Sequence, residues 1–316
     1  MVAPLEFEKS IHAVESKLEE LMHITTNGDL NISGEITKLK SKMEKMLHNT
    51  YTKLSPWQKV LVARHPERPC FSEYVDHFID DFTELAGDRN FAEDKAIIGG
   101  LGRFRGRSVV IIGHQKGRDT ESRIKHNFGM PRPEGYRKAK RLFELADQFE
   151  LPIITLVDTA GAHPGIDAEE RGQAEAIAAS IEALTRVKVP VVTIITGEGG
   201  SGGAIALAVA NTVNMLEHSI YSVISPEGCA TILWRTADKK ELAAQAQKLT
   251  AQDLIKYKVI DHIITEPLGG AHRDNQATCE AVGKQIEMDL RSLSMMSGEE
   301  LRKHREDKFL AMGRNI

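Results

Sequence analysis

The chain has 316 residues with 41 Lys plus Arg against 45 Asp plus Glu, a formal charge of −4. This balance argues against a general nucleic-acid binder, which would be basic. A charged fraction of 27% with 41% hydrophobic residues excludes wholesale disorder. The three cysteines, Cys70, Cys229 and Cys279, are far apart and lack C-x-x-C spacing, so neither a disulfide framework nor a cysteine zinc site is expected. No run of apolar residues is long enough to span a membrane, and MVAPLEFEKS does not read as a secretory signal. A cytoplasmic location is the default expectation, and no membrane or nucleic-acid partner is expected.

The first fifty residues carry apolar positions at helical spacing: Ile11, Val14, Leu18, Leu21 and Met22, then Ile32, Ile36, Leu39, Met43, Met46 and Leu47. The turn formers TTNGDLNIS lie between them, and Ser33 is a possible cap for the second helix. The pattern predicts a helical pair, either a packing appendage or a docking surface. Ser55-Pro56-Trp57 starts a further helix, with proline at its first position. The next predicted helix carries Tyr74, Phe78, Phe82 and Leu85 on one face and ends at Gly87. AIIGGLGRF and SVVIIGHQK, separated by Arg105-Gly106-Arg107, read as a hairpin.

From there strands buried on both faces alternate with helices, which predicts a layered α/β fold. A helix is expected from about Glu134 to Phe149, then the strand LPIITLVDTAG, then a helix from about Ala168 to Val187. The strand VPVVTIITGEGG, the short helix GGAIALAVAN, the strand VNML and the run YSVIS follow. A helix around Ile232, helices through Leu249 and Tyr257, and the strand VIDHIIT close the core. The tail after Pro267 reads as charged helix. The expected division is 1–55 helical, 56–266 core and 267–316 helical tail.

The main chemical signal is Gly197-Glu198-Gly199-Gly200-Ser201-Gly202-Gly203-Ala204, between a buried strand and a helix. Glycine lets backbone N–H groups approach a ligand closely, and a helix start adds unpaired donors and a positive dipole end. Three readings fit the run. Gly197-x-Gly199-x-x-Gly202, with Glu217 downstream, matches a dinucleotide fingerprint. Gly199-x-Ser201-x-Gly203 matches the nucleophile elbow of a serine hydrolase, with Asp253 or Asp261 and His262 or His272 as partners. The third is an oxyanion hole of backbone amides. A second strand–glycine–helix unit, Asp158-Thr159-Ala160-Gly161-Ala162-His163-Pro164-Gly165, suggests two loops converging on one cleft at the strand ends, where open α/β sheets bind ligands.

Residues 116–141 hold nine Lys or Arg against three acids, a local basic patch if the side chains cluster. Arg171, at the start of the helix after the second loop, could orient a substrate carboxylate or pair with Glu169 or Glu175. Glu198 reads as a brace rather than a proton carrier, and Ser201 as a turn residue or donor. Cys229 reads as a small core residue. The twelve histidines show no metal-ligand spacing, so no metal is expected.

The runs RHPERP, ELAGDR, GHQKGR, NFGMPRPEGYRKA, DTAGAHPG, EERGQAEAIA, GEGGSGGA, YSVISPEGCA, ILW and EPLGGAH, in this order over roughly residues 64–272, resemble the alpha subunits of bacterial acetyl-coenzyme A carboxylase carboxyltransferases. The resemblance implies an α/β crotonase-like fold, a superhelix of ββα units. It implies transfer of a carboxyl group from carboxybiotin to acetyl-CoA, giving malonyl-CoA for fatty acid synthesis, with no tightly bound cofactor. The implied partners are a beta subunit in an α2β2 tetramer, a biotin carboxyl carrier protein and biotin carboxylase. The zinc-binding cysteines of that family belong to the beta subunit. By this pattern the amides of Gly202 and Gly203 face the biotin carbonyl. Gly161, Ala162, Gly165, Arg171, Gly199, Gly200 and Ser201 line the substrate site. The family commonly has proline and tyrosine where this chain has Ala160 and His163. A β-branched residue at Gly203 is expected to block approach and strain the backbone while the fold stays intact.

Overall fold

The computed structural model describes residues 4–25 and 30–314. Helices α1 (Lys9–Thr25) and α2 (Leu30–Tyr51) pack together, so Ser33 lies inside α2 rather than at its start. The turn expected at Thr26–Asp29 lies outside the described residues. Ile11, Leu47 and Tyr51 bury their side chains against Val62 of α3 (Pro56–Ala63). Glu8 accepts the Tyr51 hydroxyl at 2.7 Å and pairs with Arg273 at 3.0 Å, tying the helical pair to the body. Ser55 caps α3 in a reciprocal capping box with Gln58.

Helix α4 (Phe71–Phe78) is shorter than expected. Residues Ile79–Glu84 form β1, an edge strand pairing with β2 (Ile97–Phe104), so Phe82 and Leu85 are not helical. Strands β2 and β3 (Arg107–His114) form the predicted hairpin. Its turn places Arg105 at φ 48° and Gly106 at φ 81°, left-handed values that suit a two-residue hairpin loop. Helices α5 (Thr120–Lys125) and α6 (Pro133–Gln148) lead to β4 (Ile153–Thr159). The helix expected at Ala168–Val187 is two helices, α7 (Ile166–Glu170) and α8 (Gln173–Arg186), because Gly172 takes φ 82° between them. Then follow β5 (Val191–Gly200), α9 (Ser201–Ala208), β6 (Thr212–Leu216), β7 (Ile220–Ser222), α10 (Pro226–Trp234), α11 (Lys240–Gln247), α12 (Ala251–Lys256) and β8 (His262–Ile264). Leu249 lies between α11 and α12 rather than within a helix.

The sheet runs β1-β2-β3-β4-β5-β6-β8, with β7 pairing the end of β5. It is antiparallel from β1 to β3 and parallel from β3 onward. Alternation on β4 sends Ile153 and Val157 to one face and Ile154 and Leu156 to the other. Helices α6, α8 and α9 cover the first face. The second is covered by α4 and by α13 (Asn275–Leu293), which buries Cys279, Val282, Ile286 and Leu290. The last helix, α14 (Gly298–Ala311), inserts Arg305, 1% exposed, whose guanidinium donates to Asn211 Oδ1 at 2.6 Å. The charged tail therefore packs onto the core through α13, Leu301 and Arg305.

Three buried imidazoles make the fold acid-sensitive. Burial holds His114 and His272 down to about 3 and His218 to about 4. His272 also stacks on His65, with ring centroids 3.9 Å apart. Below about pH 6.5 the unfolded chain takes up protons that the folded chain refuses, so stability falls as pH drops toward 3–4. Unfolding free energy is expected to fall by roughly 4 kcal/mol between about pH 7.5 and 5.5, shared about equally by the three histidines. Denaturant titrations across this range check it; a flat profile contradicts it.

Candidate active site

The glycine run is not a loop. Gly197–Gly200 continue β5, with Gly199 opposite Thr159 of β4 on one side and Tyr221 of β7 on the other. None of Gly197, Gly199, Gly200, Gly202 or Gly203 has a positive φ. These glycines serve close approach instead. A Cβ on Gly200 would lie 2.2 Å from the Ala160 carbonyl oxygen, and one on Gly199 would lie 2.8 Å from the Tyr221 ring. The left-handed residue is Ser201, at φ 51°, which turns strand into helix at a cost on the order of 1 kcal/mol. Extended glycines leave no tight first turn for a pyrophosphate, so the dinucleotide reading fails.

Helix α9 begins at Ser201 with no side chain capping it. Gly202 and Gly203 lie in this first turn, where backbone N–H groups lack intrahelical partners and the dipole is positive. The second loop lies directly against it. A Cβ on Gly203 would meet Gly161 C at 2.7 Å and Ala162 N at 2.8 Å, and a Cβ on Gly161 would approach Ser201 Cβ at 3.8 Å. The two loops therefore converge, as expected. The Gly161 N–H is taken by Thr159 Oγ1 at 3.0 Å, whereas the Ala162 N–H has no hydrogen-bond partner among the described residues. Ala162 and the start of α9 thus bring backbone donors to one place. Beside Ser201 and Gly202 opens a mainly apolar groove of about 660 Å³, lined by Ile205, Tyr221, Val223, Ile224 and Cys229. Cys229 is half-buried on this groove and is not a core residue.

The second loop is stapled from outside. Pro131 O accepts the His163 N–H at 2.9 Å, and Gln173 Nε2 donates to both Pro131 O and His163 O. His163 itself meets Asn127 at 3.2 Å and Asp167 at 3.5 Å, so its ring is held by polar contacts. Gly165 caps α7, where a Cβ would meet Asp167 Oδ1 and the His163 ring at 2.4 and 2.5 Å.

Arg171 pairs with neither Glu169 nor Glu175. Its Nε donates to Glu134 at 2.7 Å, a Nη contacts Asp167 at 3.4 Å, and the guanidinium lies over the Phe91 ring. Those contacts engage Nε and one Nη and link α6 to α7, while the other Nη has no hydrogen bond or ion pair among the described residues. The basic patch disperses for a similar reason. Lys116, Arg118, Arg132, Arg137, Lys138 and Lys140 form ion pairs, and Arg141 donates to the carbonyls of Leu85, Ala86 and Gly87. Arg123, Lys125 and Arg141 are the three of the nine with no ion pair among the described residues.

A cluster of charges not assembled by local spacing underlies both loops. Glu198 bonds Arg64 at 2.7 Å and Lys116 at 3.3 Å, and Arg64 reaches Glu227 at 2.6 Å. Burial alone would raise the Glu198 carboxyl, but Lys116 and Arg64 outweigh it and hold it below the usual carboxylate range. It is ionised at neutral pH, a brace as expected. Lys116 also meets Asp158 at 2.6 Å. The hydrolase partners do not gather: Ser201 is exposed, His272 stacks on His65, Asp261 pairs with Lys308, and Asp253 accepts from Thr250. Among the described residues no group of three or more His, Cys, Asp or Glu could hold a metal ion, and no helix is long and apolar enough to cross a membrane.

The family described as acetyl co-enzyme A carboxylase carboxyltransferase-like matches residues 4–313. The chain belongs to this family. It is 63% identical over 310 residues, 98% of each chain, to the acetyl-coenzyme A carboxylase carboxyl transferase subunit alpha of Paramagnetospirillum magneticum. The subunit of that name from Sphingopyxis alaskensis is 58% identical over 314 residues, 99% of this chain and 100% of its own. Among solved structures, transcarboxylase 12S superposes with a TM-score of 0.56 at 20% identity, covering 70% of this chain and 42% of that one. The geranyl-CoA carboxylase beta subunit of P. aeruginosa gives 0.55 at 18%, covering 78% and 46%. The chain thus spans less than half of these two structures, and at such identities they speak for the fold alone. That fold is the expected α/β crotonase-like one. Neither the family nor these relatives support the hydrolase reading.

Proposed function

We propose that this carboxyltransferase-family chain is the alpha half of an acetyl-CoA carboxylase, moving a carboxyl group from carboxybiotin on a carrier protein to acetyl-CoA. Family membership over residues 4–313 supports the reaction. The observation that carries the site is the uncapped first turn of α9 packed against the free Ala162 amide. When the biotin N–CO₂ bond breaks, the electron pair moves onto the ureido nitrogen and oxygen. The amides of Gly202 and Gly203 stabilise that oxyanion, each such donor contributing about 3 kcal/mol. The released CO₂ bonds to the enolate carbon of acetyl-CoA, whose proton passes to the biotin nitrogen. Biotin thus serves as its own base, and the chain need supply no titrating group. Gly161 and Ala162 form the facing wall and Ser201 the turn. Gly199, Gly200 and Gly165 contribute by admitting close packing. Arg171, anchored on Glu134 and Asp167 through Nε and one Nη, offers its other Nη to a substrate carboxylate.

The enolate side of the cleft belongs to a beta subunit in an α2β2 assembly, with the carrier protein and biotin carboxylase as further partners. Exposed Val223 on the groove and exposed Ile232 and Leu233 on α10 suit such a neighbour. The test is reconstitution. The purified chain alone is expected to make no malonyl-CoA. With a beta subunit, biotin carrier and acetyl-CoA it is expected to make it. No association and no transfer would remove the reading.

A further inference from the structure

The β4–β5 ladder is interrupted at the site. Val157 pairs with Ile195 and Thr159 with Gly199, so Asp158 alone faces Thr196, Gly197 and Glu198. Such an irregularity leaves backbone groups without ladder partners and frees the strand ends to shift. Charges fill this gap. Asp158 Oδ1 accepts the Glu198 N–H at 2.8 Å, and a Cβ on Gly197 would lie 2.4 Å from that oxygen. Lys116 Nζ lies between the carboxylates, 2.6 Å from Asp158 and 3.3 Å from Glu198. It sits just past the end of β3, so three adjacent strands meet at one ammonium. The side chains of Lys116, Asp158 and Glu198 are 17%, 15% and 9% exposed, so solvent screens them little. Asp158 is followed closely by Gly161, and Glu198 by Ser201, Gly202 and Gly203.

We propose that Lys116 is a positioning residue for carboxyl transfer, its ammonium fixing the spacing between the Gly161–Ala162 segment and the first turn of α9. The inference rests on the function proposed above. The surrounding groups do not duplicate this role. Arg64 bridges Glu198 and Glu227 but not Asp158. Arg68 faces Asp158 but is bonded to Glu266 and the Thr196 carbonyl. Burial keeps Cys70, Tyr74 and His114 neutral, and Arg123, which lines the same small cavity as Lys116, makes no ion pair with Asp158 or Glu198 among the described residues. Without Lys116, Asp158 and Glu198 repel across the ladder gap until a proton takes the ammonium's place.

The test uses the chain in complex with its beta subunit. At pH about 8, Lys116→Met is expected to lower kcat about 100-fold, with KM for acetyl-CoA changed less than about threefold. Relative to wild type at each pH, the variant is expected to regain about tenfold by pH about 6, as one carboxylate binds a proton. Lys116→Arg is expected to retain most of the activity. The double variant K116M/D158N removes both charges but keeps an acceptor for the Glu198 N–H. It is expected to return within about tenfold of wild type at pH about 8. Unchanged kcat in Lys116→Met, or a loss neither relieved at low pH nor by D158N, overturns the proposal. If Lys116→Met fails to assemble, restored assembly and turnover in the double variant support it, and failure there overturns it. A wild-type complex without transfer would instead overturn the function reading, and the proposal with it.

Discussion

Gly203→Val is expected to reduce carboxyl transfer by about 10²- to 10³-fold, the loss seen when an oxyanion donor is displaced. The cause is steric rather than conformational. Gly203 has no positive φ, so the strain expected from sequence does not arise there. The obstacle is backbone: the Cβ would sit 2.7 Å from Gly161 C and 2.8 Å from Ala162 N, and backbone cannot swing away as a side chain can. Either α9 or the second loop must move, and both carry the proposed donors. Even Gly203→Ala is expected to impair turnover. Gly202→Ala places its Cβ 3.4 Å from Ile177 Cδ1, a contact a side chain can relax, so its packing cost is expected to be small. Steady-state malonyl-CoA synthesis by each assembled variant measures the difference. Wild-type turnover by Gly203→Val would exclude any catalytic part for this turn.

The second large effect is on stability. Arg68 and Glu266 form a buried bidentate pair at 2.8 and 2.9 Å, with side chains 2% and 0% exposed. Arg68 also donates twice to the Thr196 carbonyl of β5, and Glu266 accepts the amides of His218 and Ala271. Burial alone would raise the Glu266 carboxyl, but Arg68 dominates and holds it at about 2. Its stabilisation is complete above the ordinary value of 4.5 and is lost as pH falls toward 2. Glu266→Ala leaves the buried Arg68 charge without its counter-ion and two buried amides without acceptors, and is expected to destabilise the chain by about 3–5 kcal/mol. Glu266→Gln keeps part of the hydrogen bonding and should cost less. Equilibrium denaturation gives the ranking; a change below about 1 kcal/mol for Glu266→Ala would show that the pair is not the anchor its burial implies.

Much of the fold was legible because its local signals agree with its packing. Strands β4 and β5 are apolar on both faces and are buried on both faces. Ser55-Pro56 and Arg105-Gly106 act through local chemistry and sit where that chemistry places them. The errors arise where distant partners decide. Phe78, Phe82 and Leu85 have helical spacing, yet β2 offers an edge that takes Ile79–Glu84 as strand. The glycine run reads as a loop until β7 returns to pair with it. The convergence of the two glycine units was visible, since each follows a buried parallel strand. The brace was not: Lys116, Asp158, Glu198 and Arg64 lie on separate segments, and the sheet order alone joins them. Arg171 likewise finds Glu134 across the α6–α7 contact rather than a neighbour in sequence.

A crystal structure of the assembled alpha–beta complex with biotin bound tests the central claim most directly. The ureido oxygen is expected within about 3 Å of the peptide nitrogen of Gly202 or Gly203, at the head of α9. Biotin seated elsewhere, or those two nitrogens bonded within the chain and turned away from the subunit cleft, would contradict it.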